Sequence, residues 1–294
     1  MMFDRMTRKT AFYAVGGGVG AGLLEAVTEF LSLIGRGGGG ISSVLHVALW
    51  MGLIALGLSI GLLVAQNVYL RRTPSVAAVF KPVAVGFLSG AIAGGAAQFV
   101  FGMAQAFDLA LSVKLAIQAF CWGLAGLGVG LGVSFFVPNY PAGRALLAGF
   151  VGGAAGGAAF VLINLFSVFP EGAARVAGVG ILGLSIGLTL SAVEEMLRAA
   201  WLTVIWAKNE TTSVALGEKP VILGSAPEAT VRLPRSKFPP ITAILAVRDN
   251  RVMMENRLNN QTVALPNGSK INIGKISIVI HIRKSRADRK ENAA

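Results

Sequence analysis

The hydrophobic pattern divides the chain into two parts. In the first 208 residues, apolar residues form six long stretches, at about 11–34, 41–66, 83–107, 111–137, 145–169 and 176–197. Each stretch can cross a bilayer, because a membrane helix needs about 20 mostly apolar residues. Turn and charge signals such as Arg71-Arg72-Thr73-Pro74 and Pro170-Glu171-Gly172 separate the stretches. Residues 1–208 are therefore predicted to form an all-α membrane domain of six helices.

Beyond Asn209 the pattern changes to short runs of alternating apolar and polar residues, separated by turn pairs such as Asn267-Gly268. Eight strands are predicted, at 214–216, 221–224, 230–233, 242–247, 251–255, 261–264, 270–273 and 276–282. Eight short strands within about 70 residues are typical of a small β-sandwich. We expect this all-β domain to span residues 209–284, and residues 285–294 to form a basic disordered tail.

Composition supports this division. Hydrophobic residues make up 54% of the chain and charged residues 14%, whereas an average soluble domain has about 25% charged residues. The charges are also unevenly placed, since residues 1–208 hold 12 Lys/Arg and 7 Asp/Glu while the shorter remainder holds 14 and 7. This composition argues against an ordinary soluble enzyme, because so few charges could not cover the surface of a soluble protein.

The distribution of basic residues predicts the orientation in the membrane. Lys and Arg accumulate in cytoplasmic loops. Nine basic residues lie on the side of the amino terminus, and three lie on the opposite side: Arg36, Arg175 and, just inside a span, Lys114. Both termini are therefore expected in the cytoplasm, as in a multi-pass protein of the cytoplasmic (inner) membrane. Trp201 and Trp206, just after the last span, fit an interfacial aromatic belt.

The apolar stretches contain an internal repeat and regularly spaced glycines. Leu-Gly-Leu-Ser-Ile-Gly-Leu occurs at residues 56–62 and again at residues 182–188, which suggests three glycine-rich helical hairpins in the same orientation. Small residues let membrane helices approach closely. We expect helix packing through two stripes with four-residue spacing, Gly86, Gly90 and Gly94, and Gly149, Gly153 and Gly157. A stripe of this kind could also form a self-association face, so a homo-oligomer is an alternative.

Two acidic residues lie one helical turn apart inside the first span, Glu25 and Glu29. Polar residues within a membrane are functional candidates by default, and a paired carboxylate could take up a proton or a cation. The favoured interpretation is structural. In it, Glu29 lies at the membrane interface, and Glu25 reaches that interface or bonds a neighbouring helix.

Other polar residues in the spans also have structural interpretations. Gln98 is expected to form an interhelical hydrogen bond, and Lys114 to extend to the interface from the end of its helix. Glu194 and Arg198 are four residues apart near the end of the last span, where they would form a pair on the helix surface.

The order of features in the β region resembles a forkhead-associated (FHA) domain over residues 211–284. The matching segments are Val221-Ile222-Leu223-Gly224, residues 229–233, Thr242-Ala243-Ile244, and Asn267-Gly268-Ser269-Lys270-Ile271-Asn272-Ile273-Gly274. The segment 193–201, leading into Asn209-Glu210, is also similar to a bacterial group of multi-span membrane proteins with a cytoplasmic FHA domain at the carboxyl end. This resemblance implies a β-sandwich that binds protein partners.

FHA domains bind phosphothreonine peptides through their loops, and here those loops depart from the family's pattern. Ser225 replaces the family's Arg, Pro239-Pro240 replace a Ser-Arg pair, and Thr242 replaces His. Phosphate needs charge-assisted donors, and proline supplies no backbone N–H, so the anion site is expected to be degenerate. By this resemblance, the residues that contact a partner are Ser225, Lys237, Phe238, Pro239, Pro240, Ile241, Thr242 and Asn260.

No catalytic motif is present in the sequence: there is no P-loop and no metal-ligand cluster, and the single cysteine is Cys121. We therefore expect no enzyme activity, no cofactor and no metal. The leading hypothesis is a membrane scaffold or assembly component that contacts membrane lipids and presents a degenerate FHA-like domain to a cytoplasmic or membrane protein. The alternative is a small-solute or ion transporter or channel that this domain regulates. Nucleic acid is not an expected partner, because aromatic residues do not interleave the basic residues of the tail.

Overall fold

The computed structural model describes residues 2–32, 41–72, 76–105, 107, 109–166, 170–207, 210–235, 237–248, 251–273 and 276–283. The chain forms two compact units, one of residues 1–67 and 75–195, the other of residues 68–74 and 196–294. The predicted basic tail and Gly274 lie outside the described residues.

Six long helices build the first unit: α1 (Met2–Ser32), α2 (Ile41–Tyr69), α3 (Val76–Gln105), α4 (Leu111–Phe136), α5 (Ala142–Phe166) and α6 (Glu171–Leu197). All six are long and apolar enough to cross a membrane. The prediction of six apolar helices followed by a β region is confirmed. Large apolar side chains such as Val15, Leu23 and Phe30 are exposed on the outside, as expected for a surface that faces lipid.

Contacts at glycines join the six helices in a closed ring, in which the first and last helices are neighbours. At most of these contacts a methyl group added to the glycine would collide with the facing helix. They join α1 to α2 at Gly20 and Gly57, α2 to α3 at Ala55 and Gly90, α3 to α4 at Ser89 and Gly128, α4 to α5 at Gly126 and Gly149, α5 to α6 at Gly152 and Ile186, and α6 to α1 at Gly183 and Gly17.

Both glycine stripes lie at contacts between helices. The stripe on α3 faces Ser59, Ala55 and Met51 of α2, and the stripe on α5 faces Gly126 and Trp122 of α4. A methyl group at Gly90 would lie 2.8 Å from the Met51 carbonyl oxygen, and one at Gly153 would lie 3.1 Å from the Gly126 Cα. Neither position leaves room for a side chain.

The two copies of the repeated heptapeptide lie against the same helix. In α2, Gly57 and Gly61 contact the backbone of α1 at Gly16 and Gly20, while in α6 Gly183 contacts α1 at Gly17. Successive residues of a helix point about 100° apart, since there are 3.6 residues per turn. Adjacent glycines of α1 therefore serve two different neighbours.

Apolar side chains fill the interior of the helical unit. Three pairs with four-residue spacing are at most 2% exposed: Leu58 and Leu62, Val129 and Val133, and Ile186 and Leu190. They belong to one buried cluster with Trp122, whose ring meets Trp50 edge to face at a centroid distance of 6.1 Å.

The second unit contains nine strands among the described residues, β1 (Ala200–Ala207), β2 (Glu210–Leu216), β3 (Val221–Gly224), β4 (Val231–Arg232), β5 (Ala243–Arg248), β6 (Arg251–Asn256), β7 (Gln261–Leu265), β8 (Lys270–Ile273) and β9 (Ile276–Ile282). They form two sheets, with strand orders β2-β1-β9-β8 and β4-β3-β5-β6-β7. The eight strands expected from the sequence are all present.

Strand β1 departs from the sequence expectation, which ended the first domain at residue 208. It pairs with both β2 and β9, and Leu202 and Val204 are fully buried. Trp201 stacks on His281 at 5.1 Å, and the Trp206 indole N–H donates to Thr212 Oγ1 at 2.9 Å. The second unit therefore begins near Met196, and the two tryptophans lie in a strand. The strand was missed because its tryptophans fit an interfacial aromatic belt after the last span.

Residues 68–74 also belong to the second unit. The Ser213 backbone N–H donates to the Tyr69 hydroxyl at 2.8 Å. Arg71 pairs with Glu210, and its guanidinium lies 5.0 Å from the centre of the Trp206 ring. These contacts attach the side chains of Tyr69 and Arg71 to β1 and β2.

We predict that Gly90→Ala and Gly153→Ala destabilise the helical unit by about 1–3 kcal/mol each, since overpacking a tight contact costs that much. Gly102→Ala in α3 and Gly143→Ala in α5 are matched controls, because nothing lies within 4 Å of a methyl group there. Thermal unfolding in detergent measures the difference. Equal melting temperatures for all four variants would contradict the packing role.

We also predict that residues 196–283 fold as an isolated fragment and residues 210–283 do not. Removing β1 takes the central partner from β2 and β9 and exposes Ile278 and Ile280, which are fully buried. Both fragments lack residues 68–74, so the comparison isolates β1. Circular dichroism and amide NMR dispersion provide the measurement, and cooperative unfolding of the shorter fragment would show that β1 is dispensable.

Candidate functional site

The predicted partner-binding loop is held against the end of β3. The backbone N–H groups of Ser225 and Ala226 donate to the carbonyl oxygens of Pro239 and Pro240, at 3.0 and 3.1 Å. Gly224 allows this approach, because a methyl group there would collide with the Pro240 carbonyl. The two prolines therefore act as acceptors that fix the loop, and they offer no donor to an anion.

Two of the predicted contact residues are buried. Ser225 is 5% exposed and Thr242 is 2% exposed. The Thr242 backbone N–H donates to Leu223 O at 2.7 Å, and its hydroxyl lies buried without a hydrogen-bond partner in the described part of the chain. The structure thus places these two side chains under the loop and not on its outer surface.

The remaining predicted residues lie on two adjoining loops. Residues 237–241 form one loop, with Lys237, Pro240 and Ile241 exposed and Phe238 and Pro239 half-buried. The turn of residues 257–260 lies beside it, because the Arg257 backbone N–H donates to Thr242 O at 3.0 Å. Asn260 is exposed in this turn and has a left-handed φ of 52°. We call residues 237–241 and 257–260 together the loop surface.

Apolar side chains project from the loop surface. Ile241 is 39% exposed and Leu258, in the neighbouring turn, is 65% exposed. Sequence reasoning missed Leu258, because no family motif marked the turn and only its place beside Thr242 makes it relevant. Exposed apolar residues on adjoining loops suit a protein contact, in which aromatic and aliphatic anchors are buried on binding.

The charges of the loop surface are modest. Lys237 was the nearby cation that the sequence singled out, and the structure adds Arg257, whose guanidinium lies 3.1 Å from a Glu255 carboxylate oxygen. An arginine already paired with a carboxylate is less available to a phosphate than a free one. No group of three His, Cys, Asp or Glu residues that could hold a metal is found among the described residues.

Glu25 and Glu29 make separate contacts in the helical unit. Glu25 is 1% exposed and accepts hydrogen bonds from the Trp50 indole N–H at 2.6 Å and from Thr28 Oγ1 at 3.0 Å. Glu29 pairs with Arg175 at 3.4 Å. Glu25 thus bonds a neighbouring helix, which is one of the two structural interpretations of the sequence.

A buried ion pair that the sequence did not suggest links α1 to α6. Lys9 Nζ lies 2.5 Å from Glu194 Oε2, and both side chains are less than 5% exposed. Thr10 and Ser191 share a hydrogen bond at 3.1 Å beside them. Glu194 was expected on the helix surface, and Lys9 was counted only as a cytoplasmic charge. Their separation of 185 residues leaves no local signal.

Tyrosines extend this polar group. The Tyr13 hydroxyl donates to the Gln66 side chain on α2, and the Tyr140 hydroxyl donates to Leu190 O at 3.0 Å. Burial raises the pKa of the Tyr140 hydroxyl, and the negative charge of Glu194 raises it further. The hydroxyl therefore stays protonated and remains a donor. These contacts join α1 to α2 and the segment before α5 to α6.

The sequence matches no protein-family model and no curated protein. Among solved structures, an FHA domain studied for phosphothreonine-dependent interactions covers 29% of this chain and 98% of its own, with 18% identity and a TM-score of 0.25. The FHA domain of FhaA, complexed with the intracellular domain of another protein, matches 28% of this chain over 99% of its own length. Its identity is 18% and its TM-score is 0.24. Mycobacterium tuberculosis EmbR, in complex with a low affinity phosphopeptide, matches 94% of this chain over 72% of its own length. Its identity is 12% and its TM-score is 0.25. Identities and TM-scores this low do not assign the chain to a family.

We predict that Lys9→Met and Glu194→Leu each lower the free energy of unfolding by about 3–5 kcal/mol, because each leaves a buried charge without its partner. The double variant should recover most of that loss, since an apolar pair replaces the ion pair. Thermal unfolding of the wild type, the two single variants and the double variant in detergent gives the coupling energy between the two side chains. Additive losses in the double variant would show that the two side chains act independently.

Proposed function

We propose that this protein is a non-enzymatic inner-membrane scaffold that presents a degenerate FHA-like β-sandwich to protein partners. The observation that carries the proposal is the loop surface, where Ile241 and Leu258 are exposed on adjoining loops. Burying exposed apolar side chains against a partner is favourable, because it removes apolar surface from water.

The helical unit supports an anchoring role. Six apolar helices can hold the protein in a bilayer, and apolar side chains such as Leu62, Val133 and Leu190 occupy the interior of the unit. Glu25 and Lys9, which a transporter could use for coupling, are both bonded to neighbouring helices. These contacts favour an anchor over the alternative of a solute or ion pathway.

The basic residues support a cytoplasmic position for the β-sandwich. Nine lysines and arginines on the side of both termini, against three on the other side, match the pattern of cytoplasmic loops. In this topology the loop surface is available to cytoplasmic proteins and to the cytoplasmic segments of other membrane proteins.

The chemistry of the loop surface favours partners that carry no phosphate. A phosphate of nearly two negative charges needs several charge-assisted donors. Ser225 and Thr242 are buried, and the prolines contribute only carbonyl oxygens. Lys237, Asn260 and an Arg257 already paired with Glu255 are a weak donor set, so we infer recognition by apolar contact and hydrogen bonding.

Co-purification of the full-length chain from mild detergent tests this proposal. We predict that Ile241→Asp with Leu258→Asp releases the partner proteins, with a loss of about 2 kcal/mol or more, equal to about 30-fold in affinity. Lys270→Glu is the matched control, because Lys270 is exposed on β8 of the other sheet. The control should retain the same partners as the wild type.

Two outcomes would contradict the proposal. Retention of all partners by the double variant would remove the loop surface from recognition. Loss of partners from the wild type after phosphatase treatment would show that the loop surface recognises phosphate.

A further inference from the structure

A cavity of about 170 Å³ lies between α2, α3 and α4. Its wall is mostly apolar and aromatic and includes Trp50, Phe101 and Trp122. Two carboxamide side chains, Gln98 and Gln118, line the same cavity. The lining therefore combines a nonpolar body with two groups that each donate and accept hydrogen bonds.

The two carboxamides form no hydrogen bond with the residues that the structure describes. Gln98 was expected to bond another helix, yet in the described part of the chain neither it nor Gln118 has a hydrogen-bond partner. An unsatisfied polar group in a membrane costs several kcal/mol. Both side chains lie at the cavity, so a bound molecule with complementary polar atoms would remove that cost.

The depth of the carboxamides identifies the kind of molecule. Their spans, Val79–Met103 and Ser112–Phe136, have 25 residues each, or about 37 Å at 1.5 Å per residue. The hydrocarbon layer is about 30 Å thick, so a few ångströms at each end of a span lie among the headgroups. Gln98 and Gln118 come five and six residues inside these ends, just within the hydrocarbon boundary, near the ester groups of phospholipids.

A lysine lies on the headgroup side of this pair. Lys114 precedes Gln118 by four residues, so both side chains lie on the same face of α4, one turn apart. It is half-buried in the first turn of the helix. Among the described residues its ammonium group has no ion-pair or hydrogen-bond partner. Anions also bind favourably at the amino terminus of a helix.

We propose that α3 and α4 hold one anionic phospholipid, an inference that rests on the proposed membrane anchor. The lipid phosphate pairs with Lys114, and the ester carbonyl oxygens accept hydrogen bonds from Gln98 and Gln118. One acyl chain enters the cavity between the aromatic rings. Along α4, Lys114, Gln118 and Trp122 follow one another at four-residue spacing, in the order of phosphate, ester and hydrocarbon along a phospholipid.

Native mass spectrometry of the full-length chain, titrated with phosphatidylglycerol in detergent, tests the proposal. The wild type should retain one tightly bound lipid, and Gln98→Leu with Gln118→Leu should lose it. Lys114→Ala should weaken phosphatidylglycerol about fivefold and leave phosphatidylcholine unchanged. Lys81→Ala is the control, because Lys81 lies at the opposite end of α3, over Phe135, and it should behave as the wild type.

A second measurement avoids substitutions. Cys121 lines the same cavity and is buried, so bound lipid should slow its reaction with a membrane-permeant maleimide several-fold. Phosphatidylglycerol should protect the thiol and inorganic phosphate should not. Equal labelling with and without lipid, or equal lipid retention by all variants, would overturn the lipid site. Neither result would affect the partner test on Ile241 and Leu258.

Discussion

Direct contact between helix backbones is the constraint on which the helical unit depends. Helices in lipid gain little from burying apolar surface, so they associate through close packing, and close packing needs residues without bulk. Glycines meet this need at each of the six helix contacts, and adjacent glycines of α1, Gly16 and Gly17, let one helix contact two neighbours. The ring of helices closes for this reason, and closure brings Lys9 and Glu194 together. The ion pair thus lies at the contact between α1 and α6 that Gly17 and Gly183 form.

In the β unit, a comparable role falls to strand β1. It is an interior strand of its sheet, with β2 on one side and β9 on the other. Elsewhere in the unit, Gly224 allows the prolines of the loop to approach β3. The carbonyls of those prolines then hold the loop and bury Ser225 and Thr242. The loop surface that remains is apolar at Ile241 and Leu258, and this composition makes it suitable for a protein contact.

Local sequence patterns were sufficient to predict most helices and strands, and they were insufficient to predict the contacts of the candidate sites. Six apolar stretches and eight alternating runs correspond to observed helices and strands, because both periodicities act over a few residues. Strand β1 escaped detection since Trp201 and Trp206 were assigned to an interfacial belt at the end of the membrane domain. Long-range contacts left no signal either, because nothing near Lys9 indicates Glu194. The burial of Thr242 and the exposure of Leu258 depend on how two loops adjoin, and a single sequence does not encode that in any local pattern.

The closed ring of helices is the central claim, and a disulfide between its first and last members tests it directly. Thr10 Oγ1 and Ser191 Oγ are 3.1 Å apart, which is compatible with the Cβ separation of a disulfide, about 3.8 Å. The measurement uses Thr10→Cys with Ser191→Cys in a Cys121→Ala background, with a protease site inserted between α4 and α5. After oxidation and cleavage, we predict that the two fragments stay joined until a reductant is added, and that neither single-cysteine protein links its fragments. Separate fragments without reductant would show that α1 and α6 are not neighbours and would contradict the ring.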